Sequence, residues 1–272
     1  MAALLGLLIG SFLNVCIYRL PAGITIVRGH SFCPKCRHPL GSLDLFPVLS
    51  YLLLGRRCRY CHDPISPRYA RIELLTGAYF ALAAAVWQPG SILLPDWLAG
   101  ILKNLNLPAG LATGFQASLF LVMTAALAFS GLLIWAMIAW DGQKVPYGVF
   151  IFVLIPVLVR LALQPEKLPG HLAAFLLSLL VVALIAWLGF IPQATLGQKF
   201  QLGAGVGLIG LMAGLSAAQP MLAVLLIELM LLFLRQRQQR RANRDSDCQV
   251  QLLWRSIPLQ CLMIGAVTWL LF

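Results

Sequence analysis

The sequence predicts an all-α polytopic membrane protein of about eight transmembrane helices, with a small cytosolic zinc-ribbon-like loop domain. Three observations carry this reading. Of 272 residues, 60% are hydrophobic and 11% charged, whereas a soluble domain carries roughly 25% charged residues. The chain therefore lacks the polar surface to cover a water-soluble globule. Apolar runs recur along it, and a membrane helix needs about 20 largely apolar residues. The basic residues, which give a formal net charge of +11, gather between those runs, as the positive-inside rule requires of cytosolic loops. With no recognition motif beside it, this charge reads as topology, and nucleic acid is not an expected partner.

Residues 1–20 form the first expected transmembrane helix, closing on Arg19, Leu20 and Pro21. The stretch has no basic leading region and no small-residue cleavage site, so it reads as retained rather than as a secretory signal. Residues 21–72 are the largest polar segment, with Arg28, Lys35, Arg37, Arg56, Arg57, Arg59, Arg68 and Arg71 set against Asp44 and Asp63. Further spans are expected near residues 73–89, 115–138, 146–163, 171–191, 203–218, 219–234 and 256–272, so that 73–272 is a helix bundle. A second basic loop at 235–255 carries Arg237, Arg240, Arg241 and Arg244 and reads as a topology anchor on the lipid surface. An even number of spans separates the two loops, which puts both on the cytosolic side of an inner membrane, together with the short segments 141–144 and 192–201. The sequence contains no internal repeat.

Within 21–72, Cys33-Pro34-Lys35-Cys36 and Cys58-Arg59-Tyr60-Cys61 form two CxxC knuckles. Thiolates two residues apart on tight turns converge on one tetrahedral ion, and four of them saturate zinc. A reducing cytosol favours the metal, with disulfide or redox thiols as the alternative. A segment this short cannot bury enough core to fold unaided, so the metal is expected to be structural. His38 and His62 adjoin the knuckles as potential substitute ligands. Cys16, Cys248 and Cys261 have no partner spacing and read as packing residues.

Several motifs share an order and spacing. Gly10-Ser11-Phe12-Leu13-Asn14-Val15 precedes Tyr18-Arg19-Leu20-Pro21; the knuckles follow; then come Ile65-Ser66-Pro67-Arg68-Tyr69 and Glu73-Leu74-Leu75-Thr76-Gly77. This series, nearly continuous over residues 6–80, closely resembles the bacterial prepilin peptidase/N-methyltransferase family. The resemblance implies an intramembrane aspartyl peptidase. Its members cut the basic leader from type IV prepilins or type II secretion pseudopilins on the cytosolic face, then methylate the new N-terminus with S-adenosylmethionine. Asn14, Arg71 and Glu73 fall on family positions, but a hydrogen bond between helices, an ion pair or a headgroup contact explains them without catalysis.

Peptide hydrolysis of this kind needs two carboxylates in one site, one ionised to activate water and one protonated to polarise the carbonyl. The family's first aspartate opens a D-x-D-H-x-x-L-P-D-like stretch. The matching residues run from Ala139 to Tyr147, with Ala139 at the catalytic position and Asp141 two residues on. A local two-residue deletion would instead make Asp141 the equivalent. The second aspartate ends a G-x-G-D motif, where Gly203-Ala204-Gly205 is followed by Val206. The other acids offer weaker substitutes: Asp44, Asp63 and Glu73 belong to the cysteine loop and its exit, Asp96 and Glu166 to the outer side, and Asp245 and Asp247 to the basic loop. Glu228 lies inside a span and is a candidate partner for Asp141. Gly203, Gly205 and Gly207 mimic a nucleotide loop, but they open a membrane span, where close helix packing is the expectation.

The expected function is thus a family member that has lost leader cleavage and retains prepilin binding or methylation. One alternative is an active enzyme with a non-standard dyad built around Asp141. A membrane scaffold or transporter is another; it requires a polar path between helices, which the sparse intramembrane charge does not supply.

Overall fold

The computed structural model describes residues 1–86, 115–163, 168–187, 200–212, 214 and 262–263. The expected spans at 219–234 and, for the greater part, 256–272 lie outside these residues, as do the basic loop and Asp96, Glu166, Glu228, Asp245, Asp247, Cys248 and Cys261. The regular elements among the described residues are helices, without a named strand. In order they form α1 (Ala2–Arg19), a 3-10 turn (Ser42–Leu45), α2 (Leu49–Leu53) and α3 (Pro67–Val86). Then follow α4 (Phe115–Trp140), α5 (Tyr147–Leu163), α6 (Leu168–Trp187) and α7 (Phe200–Met212). Three segments among them are long and apolar enough to cross a membrane: Ala2–Arg19, Pro67–Val86 and Val122–Trp140.

The chain divides into two compact units, Met1–Ala126 and Leu127–Phe272. In the first, α1 packs along α3. Gly6 and Gly10, one helical turn apart, set this contact. A Cβ on Gly6 would stand 2.8 Å from the Gly77 Cα, and one on Gly10 would stand 2.7 Å from the Glu73 Cα. Such small-xxx-small faces let membrane helices approach backbone to backbone where lipid offers no hydrophobic drive to associate. Helix α3 begins six residues earlier than the hydropathy pattern suggests. Pro67 suits the first helical turn, where no N–H is missed, while Arg68 and Arg71 hide that turn from a hydropathy reading.

The second unit has an apolar interior built on shape. Phe129, Leu132, Leu133 and Trp135 of α4 are almost fully buried. Gly205 of α7 faces the Trp135 indole so closely that an added Cβ would overlap it, while Gly207 meets Phe175 and Leu179, and Gly210 meets Ala174 and Ser178. The glycine string therefore packs helices, as expected.

Candidate metal centre

The two CxxC segments fold as the same knuckle. In the first, the Arg37 N–H donates to the Cys33 carbonyl (2.8 Å), the Cys33 N–H to the His38 carbonyl (3.0 Å), and Leu40 N–H to the Ser31 carbonyl (2.8 Å). In the second, His62 donates to Cys58 (2.9 Å), Cys58 to Asp63 (2.9 Å) and Ile65 to Arg56 (2.7 Å). Antiparallel bridges Phe32–Pro39 and Arg57–Pro64 close both. Arg37 and His62, each directly after the second cysteine, adopt positive φ of 58° and 59°. The left-handed residue turns the chain back so that both sulfurs of a knuckle face one point. The doubled CxxC spacing of the sequence is thus matched by a doubled backbone fold.

The knuckles bring Cys33, Cys36, Cys58 and Cys61 together, with all four sulfurs within 4.8 Å of one another. Cys33 Sγ and Cys61 Sγ are 3.9 Å apart. A zinc–sulfur bond of about 2.3 Å in a tetrahedron places its sulfurs roughly 3.8 Å apart, so the donor set fits such an ion. A disulfide needs about 2.05 Å, and these five described cysteines, Cys16 included, are free thiols. Protonation within the cluster is uneven. Burial opposes the Cys33 thiolate, but the backbone N–H groups of Cys36 and Lys35 aim at its sulfur and, with the neighbouring thiols, bring it down to about 7. The Asp63 N–H favours a Cys61 thiolate, yet burial and hydrogen bonds among the thiols outweigh it and push Cys61 up to about 12. The Cys33 thiolate forms readily and Cys61 resists ionisation, until a cation compensates the charge.

The side chains around the cluster support it rather than join it. His38 stacks on Tyr60 at 3.6 Å between ring centroids, joining the two knuckles, and its Nδ1 lies 2.8 Å from the Pro39 carbonyl oxygen. Asp44 accepts from Arg59 Nε at 2.7 Å, from the Tyr60 hydroxyl at 3.1 Å and from the Gly41 N–H at 3.2 Å. The Arg59 bond first, and then the Gly41 and Tyr60 donors, hold the Asp44 carboxyl below its ordinary range.

Two buried polar residues attach this loop to the helices, and sequence reasoning missed both roles. Arg19, only 6% exposed, donates from Nη1 to the carbonyls of Thr25 (3.1 Å) and Arg28 (3.2 Å), and from Nη2 to that of His30 (3.0 Å). Its planar fork gathers the segment leading into the first knuckle. Glu73 turns inward and accepts the Val48 N–H at 2.8 Å, with Ser11 and Asn14 also bonded to it. Asn14 donates in addition to the Tyr69 carbonyl at 3.2 Å. Glu73 is thus bonded to main chain, where an ion pair or a headgroup contact was expected, and Arg71 is exposed. A signal was available, since both Arg19 and Glu73 are charges at the margins of apolar runs.

The catalytic candidates lie in the second unit. Asp141 follows α4, whose end closes through Gly142 N–H to the Ala139 carbonyl (2.9 Å) and Gln143 N–H to the Ile138 carbonyl (3.2 Å). Gly142 has φ +69°, the left-handed residue of a Schellman cap. Four residues on, Val145 is clamped by Gln201, which accepts its N–H (3.3 Å) and donates to its carbonyl (2.9 Å). Among the described residues of this unit Asp141 is the only acid. Val206 is fully buried in α7, alongside Leu208 and Ile209.

A chain with these features is a membrane protein of several apolar helices bearing a four-cysteine cluster able to hold a metal ion. Residues 4–87 match the family described as the bacterial peptidase A24 N-terminal domain. Over 243 residues the chain is 32% identical to a prepilin leader peptidase/N-methyltransferase of Burkholderia pseudomallei (strain 1026b), covering 78% of this chain and 76% of that protein. It is 48% identical over 95 residues to the enzyme of that name from Klebsiella pneumoniae and 54% identical over 76 residues to that from Myxococcus xanthus. Those two matches span 42% and 23% of the relatives' own lengths. No solved structure gives a significant match. The chain belongs to the prepilin leader peptidase/N-methyltransferase family.

Proposed function

We propose that this protein is an inner-membrane, multi-pass member of the family that binds type IV prepilins or type II secretion pseudopilins without cleaving their leaders. Its architecture is read as eight spans: a first helix at 1–20, a cytosolic zinc domain at 21–72, and a peptidase-like bundle over 73–272 with a basic cytosolic loop at 235–255. Zinc is held by Cys33, Cys36, Cys58 and Cys61, fixing the loop's fold. The observation that carries the loss of cleavage is the burial of Val206. At the position aligned with the second aspartate, a fully enclosed isopropyl group sits in an apolar helix face and can neither hold nor accept a proton. At the position aligned with the first, Ala139 offers a methyl group.

Methylation is a separate chemistry, with S-adenosylmethionine as the donor the family uses. The glycines that mimic a nucleotide loop are filled by Trp135, Phe175 and Leu179, so they offer no cradle for it, and no residue is assigned to its binding. The test is the purified protein in lipid, given a prepilin and, separately, a pre-cleaved pilin with labelled methyl donor. The leader stays attached in the first; label on the second shows that transfer survives. One observation favours a second reading, an active enzyme with a non-standard dyad: Asp141 stands at the end of α4, two residues from the expected catalytic position. Cleavage that disappears in Asp141→Ala would establish that reading in place of the first.

A further inference from the structure

The short segment between the knuckles leaves an apolar face uncovered. Phe46, Leu49, Leu52 and Leu53 are exposed, Leu53 at 84%, although they belong to or adjoin a single short helix, α2. A contiguous apolar patch of this kind on a loop otherwise rich in charge marks an interaction surface. Its position relative to the membrane helices is fixed by a specific bond. The Val48 N–H, at the start of α2, donates to Glu73 Oε2 at 2.8 Å. Val48 takes φ +61°, a left-handed conformation unusual for a β-branched residue. The loop thus accepts local strain at the point where it is tied to α3.

Glu73 lies six residues into α3 (Pro67–Val86), which at 1.5 Å per residue is about 9 Å along the helix. The charged residues Arg68 and Arg71 precede it, so the apolar part of this helix starts beside Glu73. The bond therefore holds the start of α2 at the depth where the hydrocarbon begins. Directly after α2 come Arg56 and Arg57, both exposed, with the charge that suits anionic headgroups.

We propose that Phe46–Leu53 is seated in the headgroup–acyl boundary of the bilayer, with α2 lying in the interface and Arg56 and Arg57 at the phosphates. Apolar side chains and adjoining cations at one depth are the pattern of an interfacial helix. The knuckles are then suspended from the membrane at two points, Arg19 at the end of α1 and α2 beside Glu73, rather than carried on a free loop. This inference is independent of whether the protein cleaves prepilins.

The test is photo-crosslinking of the full-length protein in nanodiscs of phosphatidylcholine and phosphatidylglycerol. A benzophenone amino acid replaces Leu53, Leu82 of α3 as a membrane reference, or Lys35 of the first knuckle as an aqueous one; Leu82 and Lys35 are both exposed. Mass spectrometry should find phospholipid adducts at Leu53 in yields within about twofold of those at Leu82, with Lys35 giving about tenfold less. Lipid adducts at Leu53 as scarce as at Lys35 would overturn the proposal. So would a Leu53 lipid adduct that is replaced by a pilin adduct when prepilin is added, since the face would then be a peptide-docking surface.

Discussion

The two units of the molecule are held by different physics. In the first, polar side chains are directed at backbone: Arg19 at three carbonyls, Glu73 at the Val48 N–H, and Asp44 at Gly41 and the second knuckle. A loop with few buried side chains depends on such bonds for its shape, and its four-cysteine cluster is able to hold a metal ion that would add to them. In the second, helices fit through glycines and rings, with the Gln201 clamp on Val145 as a polar exception. Glycine-mediated helix contacts occur in both units, so what sets the first apart is its loop, held by polar side chains and bearing the four-thiol centre.

The largest expected effect comes from breaking the first unit's centre. Cys58→Ser should abolish metal binding, measured as metal per chain by mass spectrometry, and make residues 21–66 protease-sensitive. A structural zinc site contributes on the order of 10 kcal/mol. Metal content and protection that survive this change would remove the basis of the comparison. Next, Gly205→Ala should destabilise the second unit by about 1–3 kcal/mol through overpacking against Trp135, lowering the thermal midpoint. Gly148→Ala, where a Cβ would meet nothing within 4 Å, should leave the midpoint in place or raise it. Arg19→Gln should cost about 2 kcal/mol by removing charge-assisted bonds to three loop carbonyls, read as faster amide exchange confined to the loop around residues 24–33.

The smallest effect is pH-dependent. Asp44 has a depressed folded-state pKa, held down first by Arg59. Its contribution is therefore present above the unfolded value of about 3.9 and is lost as pH falls through the lower folded value. Arg59 is half exposed, so solvent screens the pair and keeps the change modest. Asp44→Asn should flatten the acid limb of loop stability; an unchanged acid limb would show that the pair does not hold the second knuckle.

The sequence made the metal centre legible because thiol spacing encodes it directly: Cys33, Cys36, Cys58 and Cys61 come together as the two knuckles require. The α1 and α4 spans were legible for a similar reason, since a long apolar run has few other readings. The pairing of the knuckles was legible in their spacing, but the backbone hydrogen bonds that close each one were not. The inward turn of Glu73 was hidden too, because Val48 is its partner through a main-chain group that no side-chain pattern reports. The Gly6–Gly10 face was written plainly in the first helix but carries meaning only once Gly77 and Thr76 stand opposite. The start of α3 was misplaced because its first turn is charged.

With Ala139 and Val206 at the positions aligned with the family's two aspartates, the proposed loss of leader cleavage can be measured directly. The direct measurement is the N-terminal mass of a prepilin co-expressed with this protein in cells that hold no other member of the family. A pilin still carrying its full basic leader is the expected result. A pilin shortened at the leader junction, in the presence of this polypeptide and not in its absence, would contradict it.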